Sequence, residues 1–213
     1  MKNNSKRDAV ITTLICLLPI LAGLALYDRL PETIATHFGA NGEANGWSSR
    51  AFTVFGLPAF MAGCNLLVWF TLHTDPKRQN MNPTLRALAG WIVPVLSVLL
   101  SALTLGNALG YAMHIEIVTP LLIGLLYVVI GNYLPKTKQS YTMGIKLPWT
   151  LASEENWNRT HRIAGFLWVL GGILTILFTL LHVWSFWLLF ILITLLLVLV
   201  PAVYSFLLYK KGI

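Results

Sequence analysis

The chain has 213 residues, 56% of them hydrophobic and 11% charged, and a formal net charge of +7; its mean hydropathy is +0.70. This balance excludes an ordinary soluble domain and describes a polytopic membrane protein. The basic excess does not mark a nucleic-acid binder, because no basic helix or aromatic-basic platform accompanies it.

A hydrocarbon core about 30 Å thick needs roughly 20 apolar helical residues to cross it. Six stretches qualify, near residues 8–28, 51–73, 87–109, 116–134, 162–182 and 186–208. The expected fold is all-α, a single membrane domain over residues 1–213 with six transmembrane helices. Segments 29–50, 74–86 and 135–161 are long enough to carry a site outside the bilayer. Lys and Arg resist translocation, and with the N-terminus inside 13 of the 15 basic residues fall on the cytoplasmic side, leaving Arg29 and Arg50 outside. Both termini are therefore expected to be cytoplasmic, with 29–50 an outer loop and 135–161 an inner one. The basic residues then serve topology beside anionic headgroups.

The first span follows basic residues as a signal peptide would, but its apolar run is too long and no clean cleavage site precedes Asp28, so it reads as an anchor. Cys16 and Cys64 lie inside predicted spans, where a free thiol behaves as a small apolar group. The outer loop, "LPETIATHFGANGEANGWSSR", is dense in turn formers, and Asn41-Gly42 and Asn45-Gly46 are both predicted turns. It should fold tightly over the helix ends as a cap that recognises or shields against something outside. His37, Glu32, Glu43, His114 and Glu116 are metal-ligand types, but no zinc spacing or calcium-loop pattern joins them, and no metal or other cofactor is assigned.

No Asp, Glu, Lys or Arg sits at mid-depth in a predicted span, which argues against an ion-coupled pump. The milder polar groups are Asn65, Asn107 and Asn132, and Ser97, Ser101, Thr104 and Asn107 share a face of the third helix. Together with a Gly106/Gly110 pair these suit close helix packing. Pro19, Pro94, Pro120 and Pro201 mark kinks or ends that a membrane bundle tolerates.

The inner loop ends in "GIKLPWTLASEENWNRTHRIAG", which concentrates charge and aromatics in an apolar chain. Pro148 stops any helix entering from Lys146, and Thr150 or Ser153 can cap a new one. Glu154 and Glu155 then lie in its first turn, Glu155 and Arg159 pair four apart, and Trp157, His161, Ala164 and Trp168 share a ridge. Such a helix starts at the interface and continues into the membrane, with Trp149 and Trp157 as interfacial aromatics. Helix physics leaves Gly144, Pro148, Trp149, Trp157 and His161 unexplained.

These residues carry a resemblance. Residues 131–165, "GNYLPKTKQSYTMGIKLPWTLASEENWNRTHRIAG", are similar to the signature of the SdpI family of bacterial membrane proteins, and the outer loop is similar to the motif associated with it. Pro31, Thr36, His37, Phe38, Gly42 and Ser49 match the outer motif. Gly131, Asn132, Pro135, Gly144, Ile145, Pro148, Trp149, Thr150, Leu151, Glu155, Trp157, Thr160, His161 and Gly165 match the inner one. Departures fall at the motif borders: Ala35, Gly39, Asn45 and Arg50 outside, and Ser140, Lys146 and Leu147 inside. The resemblance implies a multi-pass protein of the bacterial cytoplasmic membrane that gives immunity to a secreted antimicrobial peptide toxin and holds a cytoplasmic repressor at the membrane. It implies toxin or outer-face recognition by Pro31, Thr36, His37, Phe38, Gly42 and Ser49. It implies partner binding by Gly144, Ile145, Pro148, Trp149, Thr150, Glu155, Trp157, Thr160 and His161. The other function class the residues permit is a membrane enzyme or small-molecule transporter, with Glu154, Glu155 and His161 as a polar site at the cytoplasmic surface. No nucleophile with a paired base appears, so no catalytic residue is assigned.

Overall fold

The computed structural model describes residues 2–39, 42–183 and 186–213. Its helices are α1 (Lys2–Ala25), α2 (Leu57–Thr74), α3 (Pro83–Ala108), α4 (Ile115–Tyr133), a short α5 (Pro148–Ala152), α6 (Glu154–Leu180) and α7 (Phe186–Lys210). Six segments are long and apolar enough to cross a bilayer: Lys6–Ala25, Phe52–Thr74, Pro83–Ala108, Ile115–Lys136, Glu154–Leu180 and Phe186–Lys210. The multi-pass, mostly helical expectation holds, and each span overlaps the stretch that hydropathy marks, the fifth starting earlier, at Glu154. Pro19, Pro94, Pro120 and Pro201 all lie inside helices. The chain groups into two units, one of residues through His73 together with Arg86–Glu116, the other of Thr74–Leu85 with Ile117–Ile213.

In the first unit the 29–50 segment is more ordered than turn chemistry alone predicts. It forms an antiparallel hairpin of β1 (Thr33–Phe38) and β2 (Ala44–Ser49), with Ala35 opposite Trp47 and His37 opposite Gly46. Ile34 is the strand's inward residue, and it joins Leu30, Val54 and Leu105 in a buried cluster. Burial of that one side chain fixes which hairpin face turns inward. Gly42 has φ 78°, as its predicted turn requires, and Asn41 lies outside the described residues. Asn45-Gly46 is not a turn: both lie within β2, and a Cβ on Gly46 would stand 2.9 Å from the His37 Cβ. The glycine there serves close cross-strand approach rather than a positive φ. Arg50 ties the hairpin to the end of α1, donating at 3.0 Å to the carbonyls of Tyr27 and Leu30 with its guanidinium 4.4 Å from the Tyr27 ring centre.

The polar residues of these helices join helix to helix. The Asn65 amide lies 3.0 Å from Thr12 Oγ1 and 2.9 Å from Thr13 Oγ1, Trp69 Nε1 donates to Thr12, and Ser97 donates to the Cys16 carbonyl. The Gly106/Gly110 pair does not form a helix contact. α3 ends at Ala108, Gly110 has φ 87° in the following turn, and a Cβ on Gly106 would meet Met113.

In the second unit close packing is set by glycines elsewhere. Gly124 and Gly131 on α4 are two turns apart and face Gly172 and Gly165 on α6. Farther along, Trp168 Nε1 donates to the Leu197 carbonyl of α7, and Tyr127 and Thr194 share a hydrogen bond of 3.1 Å.

Candidate functional site

The 137–147 loop is built on one buried aromatic pair. Trp157 and His161 are one helical turn apart on α6, fully buried, with ring centres 4.0 Å apart and planes inclined by 22°. Trp157 Nε1 donates to the Thr137 carbonyl and holds the start of the loop. His161 Nδ1 lies 2.8 Å from the Trp157 carbonyl, which can only accept, so this nitrogen carries the proton. Its Nε2 then presents a lone pair, and the Ile145 N–H donates to it at 2.8 Å. The two partners together specify the neutral Nδ1–H tautomer. Gly144 crosses this ring pair with φ 103°, and a Cβ there would stand 2.5 Å from His161 Nε2 and 2.8 Å from Trp157.

The end of the loop is closed by Thr150, whose hydroxyl accepts from the Leu147 N–H and donates toward the Ile145 and Leu147 carbonyls. Ser153, as expected of a cap, accepts from the Asn156 N–H at the start of α6. Asn156 is buried and binds α7, donating to the carbonyls of Ser205 and Ile213 and accepting from Ser205 Oγ and Thr160 Oγ1. The Trp149 ring packs against Phe206 and Tyr209 of α7, and its Nε1 is buried with no hydrogen-bond partner among the described residues.

The partner residues that the resemblance implies thus occupy different layers. Thr150, Trp157, Thr160 and His161 are interior, Gly144, Ile145 and Trp149 are half-buried, and Pro148 and Glu155 are exposed. The polar groups of the enzyme reading are not joined by a hydrogen bond: Glu155 pairs with Arg159, and both His161 nitrogens are used within the chain.

Sequence reasoning missed Asp75. This residue is 4% exposed, directly after α2, and its carboxylate accepts four hydrogen bonds. Ser140 Oγ, Tyr141 N–H and Thr142 N–H donate to Oδ2 at 2.7, 2.9 and 2.8 Å, and Lys77 N–H donates to Oδ1 at 2.7 Å. Beside it Lys77 Nζ donates to Gln139 Oε1, Asn80 donates to the Gln139 carbonyl, and Gln139 reaches the Thr150 carbonyl. One signal was available: an acid just past a helix C-terminus faces the negative end of the dipole and needs donors from elsewhere.

Burial raises the Asp75 carboxyl, but hydrogen bonds from Ser140, Lys77 and Thr142 outweigh it and hold the group below its ordinary value of 3.8. A carboxyl depressed in the folded state contributes stability above its unfolded pKa and loses it as pH falls through the lower folded one. The loop should stay fastened at neutral and mildly acidic pH and release only below the ordinary aspartate range. An environment-sensitive fluorophore on a cysteine at position 138 should report that transition, and one centred near neutrality would contradict the assignment.

In the hairpin, Thr36 Oγ1 and Ser48 Oγ lie 2.9 Å apart, and exposed His37 bonds Asn45 through Nδ1. Phe38 is half-buried opposite Ala44, Pro31 is exposed before β1, and a Cβ on Gly42 would stand 2.9 Å from Glu116 Oε2. Ser49 caps the π-helical turn (Phe52–Gly56) that leads into α2, its Oγ accepting from the Phe52 N–H. Trp47, which the motif comparison passed over, is 62% exposed on the outward hairpin face.

These features define a multi-pass helical membrane protein with two shaped segments, the 33–49 hairpin and the 137–147 loop fastened to Asp75. Residues 14–62, which include the hairpin, match the model of a domain of unknown function, DUF1648. Residues 136–205, which include the loop and α5 to α7, match that of the SdpI/YfhL protein family. Over 164 residues the chain is 29% identical to the immunity protein SdpI of Bacillus subtilis (strain 168), covering 76% of this chain and 77% of the relative. The chain is thus similar to the SdpI/YfhL family over residues 136–205 and to an immunity protein over most of its length. No solved structure matches it.

Proposed function

We propose that this is an immunity protein of the bacterial cytoplasmic membrane that protects the cell from a secreted antimicrobial peptide toxin. The observation that carries the reading is the 29% identity to a protein named for immunity over 76% of the chain. In this reading both termini are cytoplasmic and the chain acts as one membrane domain. The hairpin meets or excludes the toxin from outside, through Pro31, Thr36, His37, Phe38, Gly42 and Ser49. The 135–161 segment faces the cytoplasm and holds a transcriptional repressor. Its buried residues Thr150, Trp157, Thr160 and His161 fix the shape, while Gly144, Ile145, Pro148, Trp149 and Glu155 lie nearer the surface that a partner would meet.

Expressed in a toxin-sensitive bacterium and challenged with the secreted peptide toxin of Bacillus subtilis, the protein should raise survival well above the empty-vector control. Survival equal to that control, with membrane expression confirmed, would count against immunity to that peptide.

A further inference from the structure

We infer that Asp75 is a positioning residue that sets the shape of the 137–147 loop by latching it to the 75–80 segment. The loop has little regular structure of its own: a 3₁₀ turn (Leu134–Lys136) precedes it and α5 begins only at Pro148. Backbone donors in such a segment need partners wherever they are buried. At residues 140–142 those partners converge on one carboxylate, with Ser140 Oγ, Tyr141 N–H and Thr142 N–H all on Oδ2. Ser140 extends the arrangement by accepting from the N–H groups of Thr142 and Met143, each at 3.1 Å. The Lys77 N–H on the second oxygen fixes the carboxylate plane.

A single charged acceptor with several donors is stronger than the same bonds made separately to neutral groups, and its removal takes that acceptor from all of them at once. The geometry also decides what the loop is fastened to. Residues 140–142 are thereby fastened to Asp75, about 65 positions away in sequence, and not only to their own flanking helices. Lys77 and Asn80 extend the seam through Gln139, which in turn reaches the carbonyl of Thr150 beside the Trp157/His161 pair. Neither sequence motif includes Asp75. The functional half of this inference, that the latched shape is what a cytoplasmic partner meets, rests on the proposed function; the structural half does not.

Hydrogen-deuterium exchange on the full-length protein in phospholipid nanodiscs tests the latch without any ligand. Asp75→Ala and Asp75→Asn should each speed exchange at the amides of residues 141–143 at least tenfold, and Lys136→Ala, which removes a neighbouring charge outside the seam, should not. Unchanged exchange at 141–143 in folded Asp75→Ala protein would overturn the inference. If that variant fails to accumulate, Ser140→Ala gives the reading from the loop side, where faster exchange at 142 and 143 supports the latch and unchanged exchange overturns it. Survival under toxin challenge is measured in parallel. If the wild type itself gives no protection, the proposed immunity fails while the exchange result still decides the latch.

Discussion

Replacing Gly144 with alanine should lower the thermal midpoint of the detergent-solubilised protein and expose Trp157 to aqueous quenchers, by more than the same change does at Gly110. Both glycines have positive φ, 103° and 87°, so both substitutions force an L residue into the left-handed region. That strain is of order 1–3 kcal/mol. The surroundings differ: nothing lies within 4 Å of a Cβ at Gly110, whereas a Cβ at Gly144 meets His161 Nε2 at 2.5 Å and the Trp157 ring at 2.8 Å. Neither ring can swing away, because the two are stacked on each other and bonded through Thr137 and Ile145. The loop must lift instead, which breaks the Ile145 N–H bond and leaves Nε2 without its donor at a further cost of about 1–3 kcal/mol. At about 2–4 °C per kcal/mol for a chain of this size, the summed cost of about 2–6 kcal/mol should shift the midpoint of Gly144→Ala by about 4–24 °C. Unfolding of a solubilised membrane protein is often irreversible, so both variants are compared at one scan rate. Equal shifts would show that strain alone acts and that the aromatic pair does not hold the loop.

The helices were legible because hydropathy over 20 residues is a local signal, and a membrane leaves few other solutions. The hairpin was only half legible. Turn chemistry located Gly42, but Asn45-Gly46 carries the same dipeptide signal inside β2, and what places it in a strand is the burial of Ile34 against Val54 and Leu105. The ridge of Trp157, His161 and Ala164 was read correctly as one face of a helix, but spacing does not say whether a polar ridge faces a partner or the interior. The Thr137 carbonyl and the Ile145 N–H settle that for Trp157 and His161, and these groups lie 20 and 16 residues away. Asp75 was invisible for the same reason, since its donors stand 65 to 67 positions ahead, apart from Lys77. The GxxxG spacing drew attention to Gly106 and Gly110, whereas the glycines that meet another helix within the chain are Gly124, Gly131, Gly165 and Gly172. Spacing identifies glycines that share a helix face, and only packing identifies the face that meets another helix.

That packing gives the second large effect: Gly172→Ala should destabilise the protein by about 1–3 kcal/mol, the usual range for overpacking, while Gly63→Ala should be neutral or stabilising. Both glycines lie inside long helices, α6 and α2. Alanine is the better helix former by about 1 kcal/mol at either position. The propensity term is therefore shared, and the difference between the variants isolates the contact. Around Gly63 a Cβ finds nothing within 4 Å, whereas at Gly172 it would stand 2.5 Å from the Gly124 carbonyl oxygen and 2.8 Å from the Val128 nitrogen. Backbone atoms have no rotamer to adopt, so α4 and α6 must move apart. The same holds one contact farther along, where a Cβ on Gly131 would stand 2.7 Å from the Val169 nitrogen and 2.9 Å from the Gly165 carbonyl oxygen. In lipid the loss is direct, because helix association there rests on close packing rather than on removal of apolar surface from water. Thermal midpoints of the two variants in one detergent decide the matter. If Gly63→Ala falls as far as Gly172→Ala, the glycines of α4 and α6 are not what holds those helices together.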